Sequence, residues 1–350
     1  MPQFLLPAEP VADVDAYLAA GGGEALRRAA ELGPAQTIKE LSLARLRGRG
    51  GGGFPTGRKW STIVDAPGTD KFVVCNAAEG EPGTFKDRAL LRANPYQTVE
   101  GMMVAARTVG ATQAFVAIKG HYTAERERIV RAVEELQRAG LCDGCEVVIA
   151  DGPDEYLFGE EKAMLEVIEG KPPLPRLFPP YEHGLFATAP QTGWEAVEVE
   201  PGHHGRHESN PTLVNNVETF ANVAHIMRNG AEWFRRMGTD DSPGNVVVTV
   251  VGDVVRPGVA EVELGTPMRD VIASVGGGVA DGRRVKAVFS GVANPVLPGH
   301  LLGTPMSYED LARVGAGMGS CGFVVYDESA CMVEVARQLS RFLYIESCGQ

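Results

Sequence analysis

The stretch that most limits what this chain can become is Gly48-Arg49-Gly50-Gly51-Gly52-Gly53-Phe54-Pro55-Thr56-Gly57-Arg58-Lys59-Trp60. Six of its thirteen residues are glycine, three are basic and two are aromatic. Glycines this dense let a backbone pass through φ > 0 and approach something flat or phosphorylated. The basic residues supply charge for phosphates, and the rings can stack. The stretch therefore reads as a cradle for a nucleotide or a flavin. Its context is unusual. A dinucleotide-binding G-x-G-x-x-G should follow a strand. Here Thr37-x-x-Glu40 reads as a capping box that opens a helix through Leu46, directly before the glycines. It is not a Walker A loop either, because Gly52-x4-Gly57 runs into Arg58-Lys59 instead of Lys-Ser/Thr.

A chain of 350 residues has room for two or three domains. The net charge of −12 argues against nucleic acid as a partner, since phosphate binding needs a basic face. No apolar run reaches the roughly 18 residues of a membrane span. Met1–Pro7 lacks the charged start and long apolar region of a signal peptide. The expected location is cytoplasmic, at the cytoplasmic face of a membrane where the chain serves a larger complex. The six cysteines (Cys75, Cys142, Cys145, Cys321, Cys331, Cys348) are too scattered for a disulfide scaffold. Cys142-x-x-Cys145 reads as a structural pair more readily than as a redox or metal site, because one pair cannot fill a four-ligand zinc site.

Upstream of the loop, Val14–Ala20 and Glu24–Leu32 read as short helices. Downstream the period changes. Strands are expected at 72–75, 114–118 and 146–150. Helices lie between them, from Asn94-Pro95 to Val109 and over Thr123–Arg138, the latter with Ile129, Val130, Val133 and Leu136 on one face. This β-α-β-α-β run argues a parallel sheet covered by helices, with the site in the loops at the strand C-termini. One such loop, Asn76–Gly83, carries Glu79 and Glu81. Tyr156–Glu161 leads into a helix over Lys162–Ile168, whose start would attract an anion or orient carboxylates. Ala187–Asn210 reads as an exposed insertion, with a metal site from His203, His204 and His207 as the alternative. Pro211–Val223, with Asn215-Asn216, reads as opening a helix. Asn245–Gly252, Val259–Leu264, Met268–Val275, Lys286–Ser290 and Phe323–Tyr326 form a β-grasp pattern, and Cys331–Tyr344 is a last helix. The expected divisions are 1–60 (helical region and glycine loop), 61–240 (Rossmann-like α/β domain), 241–328 (β-grasp) and 329–350 (start of a helical segment).

Several separate motifs occur in order: Gly48–Trp60, Cys75–Arg88 (CNAAEGEPGTFKDR), Gly159–Glu161, Pro211–Asn222 (PTLVNNVETFAN), Gly252–Gly258 (GDVVRPG) and Glu346–Gln350 (ESCGQ). Together, over residues 37–350, they resemble the flavin-bearing NADH-dehydrogenase subunit of respiratory complex I, the F-type subunit. The resemblance implies FMN in the Rossmann-like domain with NADH stacked above it. A hydride passes from NADH to FMN, and single electrons then leave to iron–sulfur or quinone-reductase partners, among them a thioredoxin-like [2Fe-2S] subunit. It implies that Gly48, Arg49, Gly50 and Lys59 line the FMN and the phosphates, and that Asn76 hydrogen-bonds FMN. Tyr156, Gly159, Glu160, Glu161, Asn215, Asn216 and Thr219 would complete the pocket. Phe54 and Tyr181 would stack on the NADH rings, and Glu79 and Glu81 would face the nicotinamide. Lys59 would serve both nucleotides.

The chain departs from the family's pattern at Ala78, Gly80, Lys162, Phe178 and Thr62, where an Asp, a Ser, a Thr, a Lys and an aromatic are usual. After Ser347-Cys348-Gly349-Gln350 the family continues into further cysteines that hold a [4Fe-4S] cluster, which typically needs four thiolates. Only Cys348 of that set is present, so the expectation is a longer native chain, with loss of the cluster as the alternative. A reading from another class is a subunit that keeps the fold for assembly while its nucleotide site has decayed.

Overall fold

The structure, a computed structural model, describes residues 3–68, 70–189 and 208–349. His203, His204 and His207 lie outside the described residues. Four strands, β1 (Phe72–Ala77), β2 (Gln113–Lys119), β3 (Glu146–Gly152) and β4 (Thr212–Asn216), form a parallel sheet in the order β3-β2-β1-β4. The central strands are buried almost without interruption, as a sheet covered on both faces requires. The larger core lies on the side of helices Glu24–Leu43, Pro95–Val109 and Val217–Asn229. There the last two helices press together at Gly101, where a Cβ would stand 1.9 Å from the Phe220 carbonyl oxygen. A smaller cluster with Phe158, Met164 and Leu165 covers the other face.

The order of the strands locates the site. β1 pairs with β2 on one side and with β4 on the other, so the chain reverses its winding between β1 and β4. The crevice beyond their carboxyl ends is where open α/β sheets bind ligands. Asn76 and Asn216, partners in register, mark those ends.

A second, mixed sheet comprises β5 (Asn245–Gly252), β6 (Gly258–Glu263), β7 (Val285–Phe289), β8 (Leu297–Pro298) and β9 (Gly322–Asp327) in the order β6-β5-β9-β7-β8. Its first and last strands run parallel at the centre, and helix Met268–Gly276 packs on it over a separate core. This is the expected β-grasp arrangement. The final helix, Met332–Ile345, buries no residue and leaves Val333 and Tyr344 exposed. Among the described residues no helix is long and apolar enough to cross a membrane.

Local expectations need correction in two places. Thr37 is no cap. It is fully buried inside helix Glu24–Leu43, which bends at Gly33 (φ +72°) and restarts at Pro34. Pro211–Val223 is not one helix. Thr212–Asn216 is strand β4, and the helix starts at Val217 with Asn216 as its cap. Helices Thr56–Asp65 and Lys86–Ala93 are additions to the expected elements, and both carry residues of the site.

Candidate functional site

Two adjoining cavities fill the crevice. The larger, about 310 Å³, is bounded by Asn76, Glu79, Glu81, Tyr156 and Glu160. The smaller, about 140 Å³, is bounded by Gly48, Phe54, Lys59, Glu161, Asn215 and Thr219. Gly50, Asn76, Gly159 and Asn216 belong to both. These cavities gather every site residue expected from the sequence except Arg49, Tyr181 and Cys348.

The glycine loop is held at its base by Gly48 N–H donating to Phe54 O (2.9 Å) and Thr56 N–H to Leu46 O (2.8 Å). At Gly50 a Cβ would lie 3.3 Å from Asn216 Cβ, so a glycine here keeps the neck between the cavities open. The loop then enters helix Thr56–Asp65. That helix aims Lys59 at the smaller cavity, where it pairs with Glu161. It also buries Trp60, whose indole N–H donates to Asn215 Oδ1 (2.9 Å).

Asn76 and Asn216 have fixed amide orientations, because in each the oxygen meets donors and the nitrogen meets an acceptor. Asn76 Nδ2 donates to Gly159 O (2.8 Å), while its Oδ1 accepts from Ala78 N–H (3.2 Å). Asn216 Oδ1 accepts from Lys86 Nζ (3.1 Å) and Glu218 N–H (3.0 Å). One amide hydrogen of Asn216 goes to Asp87 Oδ2 (2.6 Å), which leaves the other for a ligand.

The carboxylates are tethered as well. Glu79 is buried and accepts from Asp87 N–H (3.0 Å) and from Arg88 N–H and Nε (3.3 and 3.0 Å). Burial pushes its pKa up despite those donors. Glu81 accepts from the Tyr156 hydroxyl (2.6 Å) and from Val292 N–H (2.6 Å), so it bridges the two sheet units. Burial, followed by the bond to Glu81, raises the Tyr156 pKa. Glu160 caps helix Glu161–Ile168 by accepting from Lys162 and Ala163 N–H (2.9 and 2.8 Å). That helix start therefore orients carboxylates and does not bind an anion directly.

Arg49 corrects an expectation. Its guanidinium does not face the cavities. It is buried 4.0 Å from Glu218, 3.2 Å from Asn245 O and 3.4 Å from the Tyr308 hydroxyl, and so ties the loop to the second sheet unit. The buried carboxylate of Glu218 draws it inward. What Arg49 gives the site is its backbone N–H, which donates to Thr219 Oγ1 (2.9 Å). Tyr181, directly after Pro179-Pro180, is exposed and borders neither cavity, so a stacking role for it needs a ligand that extends outward.

Sequence reasoning missed Lys86, Asp87, Thr84 and Ser320. Lys86 is fully buried, 2.8 Å from Asp87 Oδ1 and 2.9 Å from Glu218 Oε2. Burial alone would lower its pKa, but the two carboxylates outweigh it and hold the ammonium above the ordinary lysine range. The available signal was the run Lys86-Asp87-Arg88 beside the two-carboxylate loop, a charge pattern that also describes a solvated face. Two departures from the family's pattern, Thr62 and Phe178, border neither cavity, and Thr62 is spent on Arg58 O (3.1 Å). Ala78 does border the larger cavity.

The residues fit a flavin mononucleotide. The neck that a Cβ at Gly50 would narrow, a lysine at one lobe and a set of oriented amides at the other suit a long ligand with one anionic end. They do not fit an iron–sulfur cluster. Among the described residues no group of three or more His, Cys, Asp or Glu is placed to hold a metal, and Cys348 stands partly exposed on the tail.

Residues 41–225 match the Nuo51 FMN-binding domain, and residues 247–293 match the SLBB domain. The NADH-quinone oxidoreductase F 2 subunit of Rhizobium meliloti is 41% identical over 346 residues, 95% of this chain and 77% of that protein. The corresponding F subunit of Aquifex aeolicus is 37% identical, over 97% of this chain and 76% of that protein. Among solved structures, an air-oxidised NAD+-reducing [NiFe]-hydrogenase superposes with a TM-score of 0.80 at 34% identity. That match covers 97% of this chain and 55% of the hydrogenase chain, so this chain spans about half of it. With its glycine loop, its two sheets and these relatives in agreement, the chain belongs to the Nuo51 family of NADH-quinone oxidoreductase F subunits.

Proposed function

We propose that the two cavities together hold one FMN and that the chain is the NADH-oxidising module of an electron-transfer complex. The observation that carries this is the two-lobed crevice at the switch point of a chain whose residues 41–225 match an FMN-binding family. Lys59, the Thr219 hydroxyl and Gly50 would take the phosphate end, with the Gly48 and Arg49 N–H groups holding the loop in place. Asn76, Gly159, Asn216 and Tyr156 would take the ring end. Bound FMN accepts two electrons together as hydride and releases them singly, so it adapts NADH to one-electron partners.

The protein's part is positional. Hydride transfer is governed by distance and alignment, so no side chain need act as acid or base. Glu79 and Glu81, each held by two other residues, form a rigid wall where the nicotinamide would enter. Phe54, 48% exposed with the Arg58 guanidinium 5.7 Å over its ring, offers a face for stacking beside a positive charge. The relatives are named as subunits, which supports partner subunits here, and a thioredoxin-like [2Fe-2S] protein at the cytoplasmic face of a membrane complex is the partner we infer.

The test is steady-state turnover with NADH and ferricyanide, a soluble one-electron acceptor. Turnover that appears only after FMN is added supports the proposal. Tight FMN binding without NADH-dependent turnover would favour the non-catalytic assembly role.

A further inference from the structure

We infer that the second sheet unit contributes a binding residue to the site: the hydroxyl of Ser320 contacts the polar ring edge of the flavin. This rests on the FMN reading above and deepens it. Ser320 borders the larger cavity together with Gly50, Asn76 and Tyr156, although it belongs to the turn that leads into β9.

The backbone around Ser320 is costly. The turn is closed by Cys321 N–H donating to Met318 O (3.1 Å). Ser320 sits between two residues with left-handed backbone, Gly319 (φ +53°) and Cys321 (φ +62°). A Cβ at Gly319 would stand 1.7 Å from Ser290 O, so that glycine is required. Cys321 is not a glycine, and its Cβ crowds the backbone in a left-handed conformation. Strain of this kind persists where the surroundings over-determine it, and it clusters at ligand sites. Three contacts over-determine it here. Thr249 N–H donates to Cys321 O (2.9 Å). The next residue, Gly322, lies where a Cβ would be 2.1 Å from Thr84 Oγ1. On the other flank, a Cβ at Gly51 would be 3.8 Å from Ser320 N. The turn is thus wedged between the glycine loop and the Glu79–Thr84 loop.

Ser320 Oγ and Thr84 Oγ1 lie 3.0 Å apart, and both residues border the cavity. One hydroxyl hydrogen joins the pair, which leaves the second hydrogen and unshared lone pairs for a ligand. Such a pair both donates and accepts. It suits a ring edge that carries carbonyl oxygens beside an N–H, as the pyrimidine end of a flavin does.

The experiment uses the full chain, with FMN itself as the probe and quenching of flavin fluorescence as the readout. Ser320→Ala is expected to weaken FMN binding about tenfold, one hydrogen bond's worth. It should also shift the visible absorption band of the bound flavin, while the flavin-free protein, which loses only the bond to Thr84, stays folded. Ser320→Thr, which keeps the hydroxyl, is expected to restore both affinity and band. Thr84→Val removes the other half of the pair and should also weaken binding. If the native chain binds FMN and both Ser320→Ala and Thr84→Val bind it with native affinity and spectrum, Ser320 has no such role, while the flavin site stands. If the native chain binds no FMN, the reading of the cavity fails and this inference fails with it.

Discussion

Lys86→Met is expected to destabilise the folded chain by about 3–5 kcal/mol, the usual loss when one partner of a buried ion pair is removed. Lys86 is fully buried with its Nζ 2.8 Å from Asp87 and 2.9 Å from Glu218, and Glu218 is fully buried too. The nearest other cation, Arg49, stands 4.0 Å from Glu218. Without Lys86 two carboxylates share a dry interior with too little positive charge. Burial already pushes the Glu218 pKa up. In the variant it rises further, so the folded state binds more protons than the unfolded chain. A raised acid pKa means that stability is lost as pH rises. The defect, measured as the guanidinium unfolding midpoint against native, should therefore be larger at pH 8 than at pH 5. Lys86→Met combined with Glu218→Gln should recover part of the loss. An unchanged midpoint in Lys86→Met would show that the cluster is not an energetic unit.

Gly50→Leu is expected to abolish flavin binding while leaving the chain folded. Gly50 borders both cavities, and its Cβ position faces Asn216 Cβ at 3.3 Å. Its φ is not among the left-handed ones, so a side chain is tolerated by the backbone. The added carbons would occupy the neck through which one continuous ligand must pass. The expected loss is about a hundredfold or more in FMN affinity, roughly 3 kcal/mol. Thr62→Ala, on the exposed side of the helix that follows the loop, is the control, because Thr62 borders neither cavity. Flavin retained per chain after gel filtration gives the comparison. Equal retention in Gly50→Leu and Thr62→Ala would mean that the ligand does not span the two lobes.

How much of this is legible in the chain depends on distance along it. Strands β1 to β3 and the helices Pro95–Val109 and Thr123–Arg138 have local periods, and they occur where the periods place them. The unusual context of the glycine loop, after a helix, is also readable. Strand β4 is not. Thr212–Asn216 is five residues long and passes into a helix with no intervening turn, so its apolar residues fit a helical pattern as well. Asn215 and Asn216 nevertheless stand out, because polar residues in an otherwise apolar run demand partners. The orientation of Arg49 is beyond reach because it is set by Glu218 and Asn245, residues far along the chain. Lys86 is hidden by the same cause, since its burial is explained by Glu218. Ser320 is hidden most deeply. It comes from the other sheet unit, 236 residues after its partner Thr84.

The most direct measurement is an anaerobic titration of the FMN-loaded chain with NADH, followed at the flavin's visible band. The expected result is complete bleaching at one NADH per bound FMN, with no bleaching of free FMN mixed with Gly50→Leu under the same conditions. A native chain that holds FMN firmly while the band stays unchanged through several equivalents of NADH would contradict the proposed function.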